Sequence, residues 1–182
     1  MLGRLIAVAL AMGIVPSCLA QMTEAERLTA ARKVLLEQIQ AEIADYAKID
    51  EKLKIETTME KALEAVKPKM YGRREGTLQL HRWRDQEKVR KALVGLLDDE
   101  DGHVAFNAAQ VLASEAHKEA IPALRRVLEG KAINAKGGIV ATNSGYEHDR
   151  SALALLAAGQ KLPKAFQWSV FAEWEKFTQR EK

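Results

Sequence analysis

Cysteine is nearly missing from this 182-residue chain: there is one, so no internal disulfide can brace the fold. Proline is scarce, at four, and eleven glycines follow no fixed period, which excludes collagen-like and low-complexity chains. Aromatic residues number only ten. A dominant charge is lacking too: 28 basic residues against 25 acidic leave +3, too balanced for a disordered polyelectrolyte. No hydrophobic run approaches the ~20 residues of a membrane-spanning helix; the stretch 5–15 stops at 11. What is present is alanine, leucine and charged side chains, a palette for helices rather than sheets. With 47% hydrophobic residues, the chain suffices for one core and not for two.

The first 20 residues read as an export address. Arg4 makes the start basic, Leu5 to Val15 is uncharged and mostly apolar, and Pro16-Ser17-Cys18-Leu19-Ala20 follows. A basic start, a short apolar core, a helix breaker and small residues make a signal peptide. Cleavage after Ala20 would leave a periplasmic or secreted chain beginning at Gln21 with no cysteine. Alternatively, Val15-Pro16-Ser17-Cys18 resembles a bacterial lipobox, in which Cys18 is lipidated and anchors the new N-terminus. Either route rules out a catalytic or metal-binding cysteine.

Residues 22–66 contain no glycine or proline and read as a long helical segment. Thr23 with Glu26 three positions on forms a capping-box signature. Leu28, Leu35, Ile39, Ile43, Tyr46, Ile49 and Leu53 recur at helical spacing, as one long amphipathic helix or two bent near Asp50. Glu42 and Glu56 break a strict heptad, so the stripe is expected against the rest of the chain, with homo-oligomerisation as the alternative. Lys67-Pro68 ends it, and residues 67–86 read as a basic connector.

Beyond it, Val89, Leu93, Leu96 and Leu97 make one helix face, Asp98 to Gly102 a turn, and Val104, Ala108, Val111 and Leu112 a second face. A third helix opens at Ala120-Ile121-Pro122 and stops at Gly130, with proline in the first turn and glycine at the end. A fourth spans Ser151 to Ala158. Between them, residues 131–149 read as a surface loop with Gly137-Gly138 and Asn143-Ser144-Gly145. Five of the ten aromatics fall in the last segment, where Phe166, Val170, Trp174 and Phe177 have helical spacing; residues 163–180 are expected to form an aromatic cap helix.

Leu96-Leu97-Asp98-Asp99-Glu100-Asp101, then Val104, Ala108-Ala109, Leu112-Ala113 and Ala120-Ile121-Pro122-Ala123-Leu124 together resemble a short HEAT-like repeat of the bilin-lyase type. Ala105 departs from the arginine usual after the valine, and Ala113 from a frequent glycine. The resemblance implies stacked helix pairs over residues 87–160. The expected fold is therefore all-α: a long N-terminal helix, a short HEAT-like solenoid and the cap helix.

For chemistry, residues 67–91 hold nine basic side chains against three acidic ones, with Tyr71 and Trp83 among them. Arg73, Arg74, Arg82, Trp83, Arg84 and Arg90 are the candidate partner-binding residues, taking a protein, an acidic polymer or a lipid; nucleic acid does not suit an exported chain. The plainer reading is a solvated helix face with arginine stems covering Trp83. Glu147-His148-Asp149 is the tightest acid–histidine group, the seat of an alternative metal or acid–base site in the 131–149 loop. No histidine pair has metal spacing, the acids of 98–101 are consecutive rather than alternating, and there is no nucleophile elbow or phosphate loop. No His-Glu dipeptide occurs, which the iron-binding hydroxylases of HEAT-like architecture use. No catalytic residue, metal or cofactor is assigned. The expectation is a non-catalytic adaptor or scaffold of the bacterial cell envelope, with an envelope enzyme or a polyanion-binding protein as alternatives.

Overall fold

A computed structural model describes residues 22–49, 58–70, 72–140 and 145–177, and over these the chain is helical, without a strand. The segment read as an export address, Cys18 and the bend expected near Asp50 lie outside the described residues. So do the side chains of Tyr46, Ile49, Leu53 and Tyr71.

Helix α1 runs Glu24–Ile49. Its start is a closed capping box: Thr23 Oγ1 accepts the Glu26 N–H at 3.3 Å, and Glu26 accepts the Thr23 N–H at 2.7 Å. Ala31, Leu35 and Ile39 are buried, with Leu28 and Ile43 half-buried beside them. The stripe is thus used within the chain. Helix α2, Met59–Ala65, is capped by Thr58, whose hydroxyl accepts the Lys61 N–H at 3.3 Å.

The connector expected over residues 67–86 carries a buried helical middle between exposed ends. Helix α3 spans Arg73–Gln79, a 3-10 turn spans Leu80–Trp83, and every residue from Glu75 to His81 is buried. The flanking arginines hide a small-residue seat: a Cβ on Gly76 would stand 2.9 Å from the Ala65 Cβ, so only glycine lets α3 approach α2 so closely. Two of the buried polar side chains bond locally. Gln79 donates to Glu75 at 3.0 Å, and His81 Nδ1 lies 2.9 Å from the Leu78 carbonyl.

Helices α4 (Glu87–Leu96), α5 (Gly102–Ser114), α6 (Ile121–Leu128) and α7 (Tyr146–Ala157) follow. Asp101 caps α5 by accepting the His103 N–H at 2.9 Å. Apart from His103, every residue of α5 is buried. Consecutive helices pair as α2 with α3, α4 with α5 and α6 with α7. Helix α5 packs between α3 and α7, and α1 lies against all three.

Two further expectations are corrected. The 131–149 stretch is not a free surface loop: α7 begins at Tyr146, so Glu147, His148 and Asp149 form its first turn. Upstream, Ile133, Asn134, Gly138 and Val140 are buried. Asn134 carries the reason, since its amide donates to the carbonyls of Leu97 and Asp99 at 3.0 and 2.8 Å. Its Oδ1 accepts the Gly138 N–H at 3.2 Å. The segment is therefore sewn onto the turn between α4 and α5.

The aromatic cap is not a helix over 163–180. Residues 165–171 have no helical structure, and only Ala172–Phe177 coils, as a 3-10 turn. The backbone N–H groups of Ser169, Val170 and Phe171 all go to the Asp149 carboxylate, which prevents them from making helical bonds. The rings still close the end of the fold. Trp174 and Phe177 are buried, Phe171 stacks on Trp174 with centroids 4.0 Å apart, and Trp168 meets Trp174 edge-on at 5.6 Å. Val170, expected on the same face, is 48% exposed.

Candidate functional site

The six candidate contact residues do not form one patch. Arg73 and Arg74 open α3, whereas Arg82, Trp83, Arg84 and Arg90 lie beyond its C-terminal end. Four of the five arginines are spent on carboxylates of this same chain. Arg73 grips Asp99 through both terminal nitrogens, with Nη1 to Oδ1 at 3.1 Å, and reaches the Val66 carbonyl through Nε at 3.3 Å. Arg74 pairs with Asp101 at 2.8 Å and Arg84 with Glu115 at 2.5 Å. Arg90 binds Glu87 and Glu119, each at 2.8 Å.

These pairs have an electrostatic signature. Burial pushes the Asp101 carboxyl up, but the Arg74 guanidinium and the His103 N–H outweigh it and hold the group below its ordinary value. Hydrogen bonding to Arg90 lowers Glu87, and the same contact raises Arg90. The acidic turn 98–101, so conspicuous in the sequence, is the counter-charge for the basic opening of α3. Arg82 differs: it is exposed and has no carboxylate partner among the described residues. Trp83 beside it is half-buried, its ring packed on the core.

The alternative site at Glu147, His148 and Asp149 is built for holding backbone. Asp149 is fully buried, and its two oxygens accept N–H groups from Ser169, Val170 and Phe171 at 2.7 to 3.1 Å. The Ser169 hydroxyl lies 3.1 Å from Oδ1. Burial alone would raise this carboxyl; the N–H donors of Phe171, Ser169 and Val170 and the Ser169 hydroxyl together lower it. His148 Nδ1 is 3.5 Å from Oδ1, too far for a strong bond, and its ring stacks on Phe166 with centroids 5.1 Å apart. A carboxylate saturated by main-chain donors is a poor proton acceptor. Among the described residues, no three His, Cys, Asp or Glu side chains converge as metal ligands.

Sequence reading missed Arg150. Its side chain is 1% exposed, ion-paired through Nη1 to Glu42 of α1, and 3.2 Å from the Tyr146 hydroxyl. The guanidinium also sits over the Tyr146 ring, 5.3 Å from its centroid. Its sequence signal was the i, i+4 spacing of Tyr146 and Arg150 once α7 is started at the right residue. A heptad-breaking Glu42 in the α1 stripe was the other half of the clue. Arg32 adds a second tie, donating to the Ala157 carbonyl at 2.9 Å.

No helix among the described residues is long and apolar enough to cross a membrane. Compared with protein-family models, curated proteins and solved structures, the chain matches none.

Proposed function

We propose that this chain is an exported, non-catalytic adaptor of the bacterial cell envelope, a short HEAT-like array that holds a protein partner. Three consecutive helix pairs, with α3, α5 and α7 adjoining in series, support the HEAT-like reading. The signal-like residues 1–20 support export, with cleavage after Ala20 or lipidation at Cys18 as the two routes.

The observation that carries the binding reading is Arg82 beside Trp83. Arginine and tryptophan are the side chains most often found at the energetic centre of protein interfaces. Here an exposed guanidinium with no carboxylate partner among the described residues precedes an indole packed on the core, and the ion pairs Arg84–Glu115 and Arg90–Glu119 tie the residues that follow to later turns. Internal pairing also removes Arg73, Arg74, Arg84 and Arg90 from the charge available to a long polyanion. An acidic protein surface fits the remainder better than an acidic polymer or lipid.

The test places a photo-crosslinking residue at the exposed Lys88 and identifies adducts from envelope extract by mass spectrometry. Arg82→Glu breaks no internal ion pair, so the fold and melting temperature stay unchanged while one specific adduct falls about tenfold. Equal recovery of every adduct in wild type and Arg82→Glu overturns the surface. The same spectra read the mature N-terminus.

A further inference from the structure

Away from Arg82, a cavity of about 650 Å³ lies between the first turns of α1 and the segment that follows α7. That volume is within the ~300–1,000 Å³ range of small-molecule sites. Its apolar lining comes from four separate parts of the chain, with Gln160 and Gln167 among the polar residues beside it. Leu28 belongs to α1, Leu156 to α7, Leu162 and Phe166 to the following segment, and Phe177 to the last 3-10 turn. Phe177 is buried while the leucines and Phe166 are half-buried, so Phe177 forms the deep end.

The charged lining is exposed and so marks the mouth: Lys161 and Lys164 with Glu24 and Glu175, and half-buried Arg27 beside them. Two of the three cations, Arg27 and Lys161, have no carboxylate partner among the described residues. Arg27 is held at the mouth because its Nη1 donates to the Met22 carbonyl at 2.8 Å, which leaves the other nitrogens of the fork for a ligand. A chamber with leucine and phenylalanine walls, and three cations against two carboxylates at its opening, is complementary to an amphiphile with one anionic end.

We infer that this cavity binds a single long-chain fatty acid, its alkyl tail lying between Leu28, Leu156 and Leu162 toward Phe177. The carboxylate meets Arg27 and Lys161. Leucine walls on several sides suit a flexible alkyl chain, whose methylenes gain by leaving water. The inference is independent of the Arg82 surface, so either can fail without the other.

The experiment uses the full chain and the fluorescent fatty acid cis-parinaric acid, displaced by palmitate or by hexadecanol, which has the same tail and no charge. Saturable binding of one parinarate per chain is expected, with palmitate displacing it at a concentration about tenfold lower than hexadecanol. Leu162→Glu puts a carboxylate among the leucines and lowers palmitate affinity at least tenfold. Arg27→Glu with Lys161→Glu lowers palmitate affinity by about tenfold and leaves hexadecanol unchanged. Absence of saturable displacement overturns the proposal, as does palmitate affinity unchanged in both variants. Circular dichroism reports whether Leu162→Glu folds. If it does not, the rim variant decides alone, because its two positions contribute no buried side chain.

Discussion

Asp149, in the first turn of α7, receives the Ser169 backbone N–H on both of its carboxylate oxygens, at 3.1 and 3.0 Å. With the N–H groups of Val170 and Phe171 on Oδ2, one side chain fixes the route of the chain into its aromatic end.

Replacing Asp149 with alanine therefore removes several charge-assisted bonds and leaves three N–H groups without their acceptor. The cost is about 2–3 kcal/mol, read by urea denaturation. Tryptophan emission of the folded variant shifts to the red as Trp168 and Trp174 loosen. Because the folded state lowers the Asp149 carboxyl, its contribution is fully present above the unfolded value near pH ~3.9 and is lost as pH falls through the folded one. Asp149→Asn accordingly flattens stability against pH below about pH 4; an unchanged slope there contradicts the assignment.

His81 titrates in a higher window. Burial, aided by Arg82 and Arg84, lowers its ring below the ordinary histidine value, against the opposing bond to Leu78. The neutral ring is thus the folded form. Its stabilisation is intact above about pH 6.5 and declines as pH falls through the folded value. Thermal melts of the wild type should drop between about pH 7 and 5. His81→Gln should remove that part of the decline, and a parallel pair of curves would count against it.

Arg73 and Asp99 form the most enclosed of the arginine ion pairs that link α3 to later turns, with side chains 18% and 12% exposed. Arg73→Ala leaves the carboxylate without its partner and costs about 2–3 kcal/mol. A double-mutant cycle with Asp99→Ala should return a coupling of at least about 1 kcal/mol. Arg90→Ala, at a solvent-screened pair, should leave the denaturation midpoint within error of wild type. Equal effects at the two positions would show that enclosure is not what matters.

Gly102 opens α5 directly beneath the sewn segment. A Cβ there would stand 2.2 Å from the Ile139 carbonyl oxygen, a separation that real side chains do not adopt. Gly102→Ala must therefore lift residues 137–140 from the α4–α5 turn. The expected destabilisation is about 1–3 kcal/mol, with faster proteolytic cleavage near Lys136. An alanine variant as stable and as resistant as wild type would disprove the close approach.

The pattern of what could be read beforehand has a physical basis. Helices with their own local instructions were legible: the Thr23–Glu26 box, Pro122 in the first turn of α6, and the apolar spacing of Val89, Leu93 and Leu96. Elements decided by distant partners were not. The spacing from Phe166 to Phe177 is helical, yet Asp149 draws the backbone away from helix. The 67–86 stretch is basic on paper because its arginines flank seven buried residues and answer acids some 26 to 31 positions later. Asn134, an ordinary loop residue by composition, proves to be the stitch for its segment. Of the candidate surface, charge content was visible in the sequence, but not how much of it was already neutralised.

Helix α1 has a consequence for the order in which the protein can be made. Its buried face is completed by α7, through Arg150 to Glu42 across 108 positions and Arg32 to Ala157 across 125. Chains emerge N-terminus first, so α1 is among the first helices available and among the last to find its place. Until the segment beyond Tyr146 arrives, Ala31, Leu35 and Ile39 lack much of their cover. Such late closure between distant ends slows folding and keeps the nascent chain open.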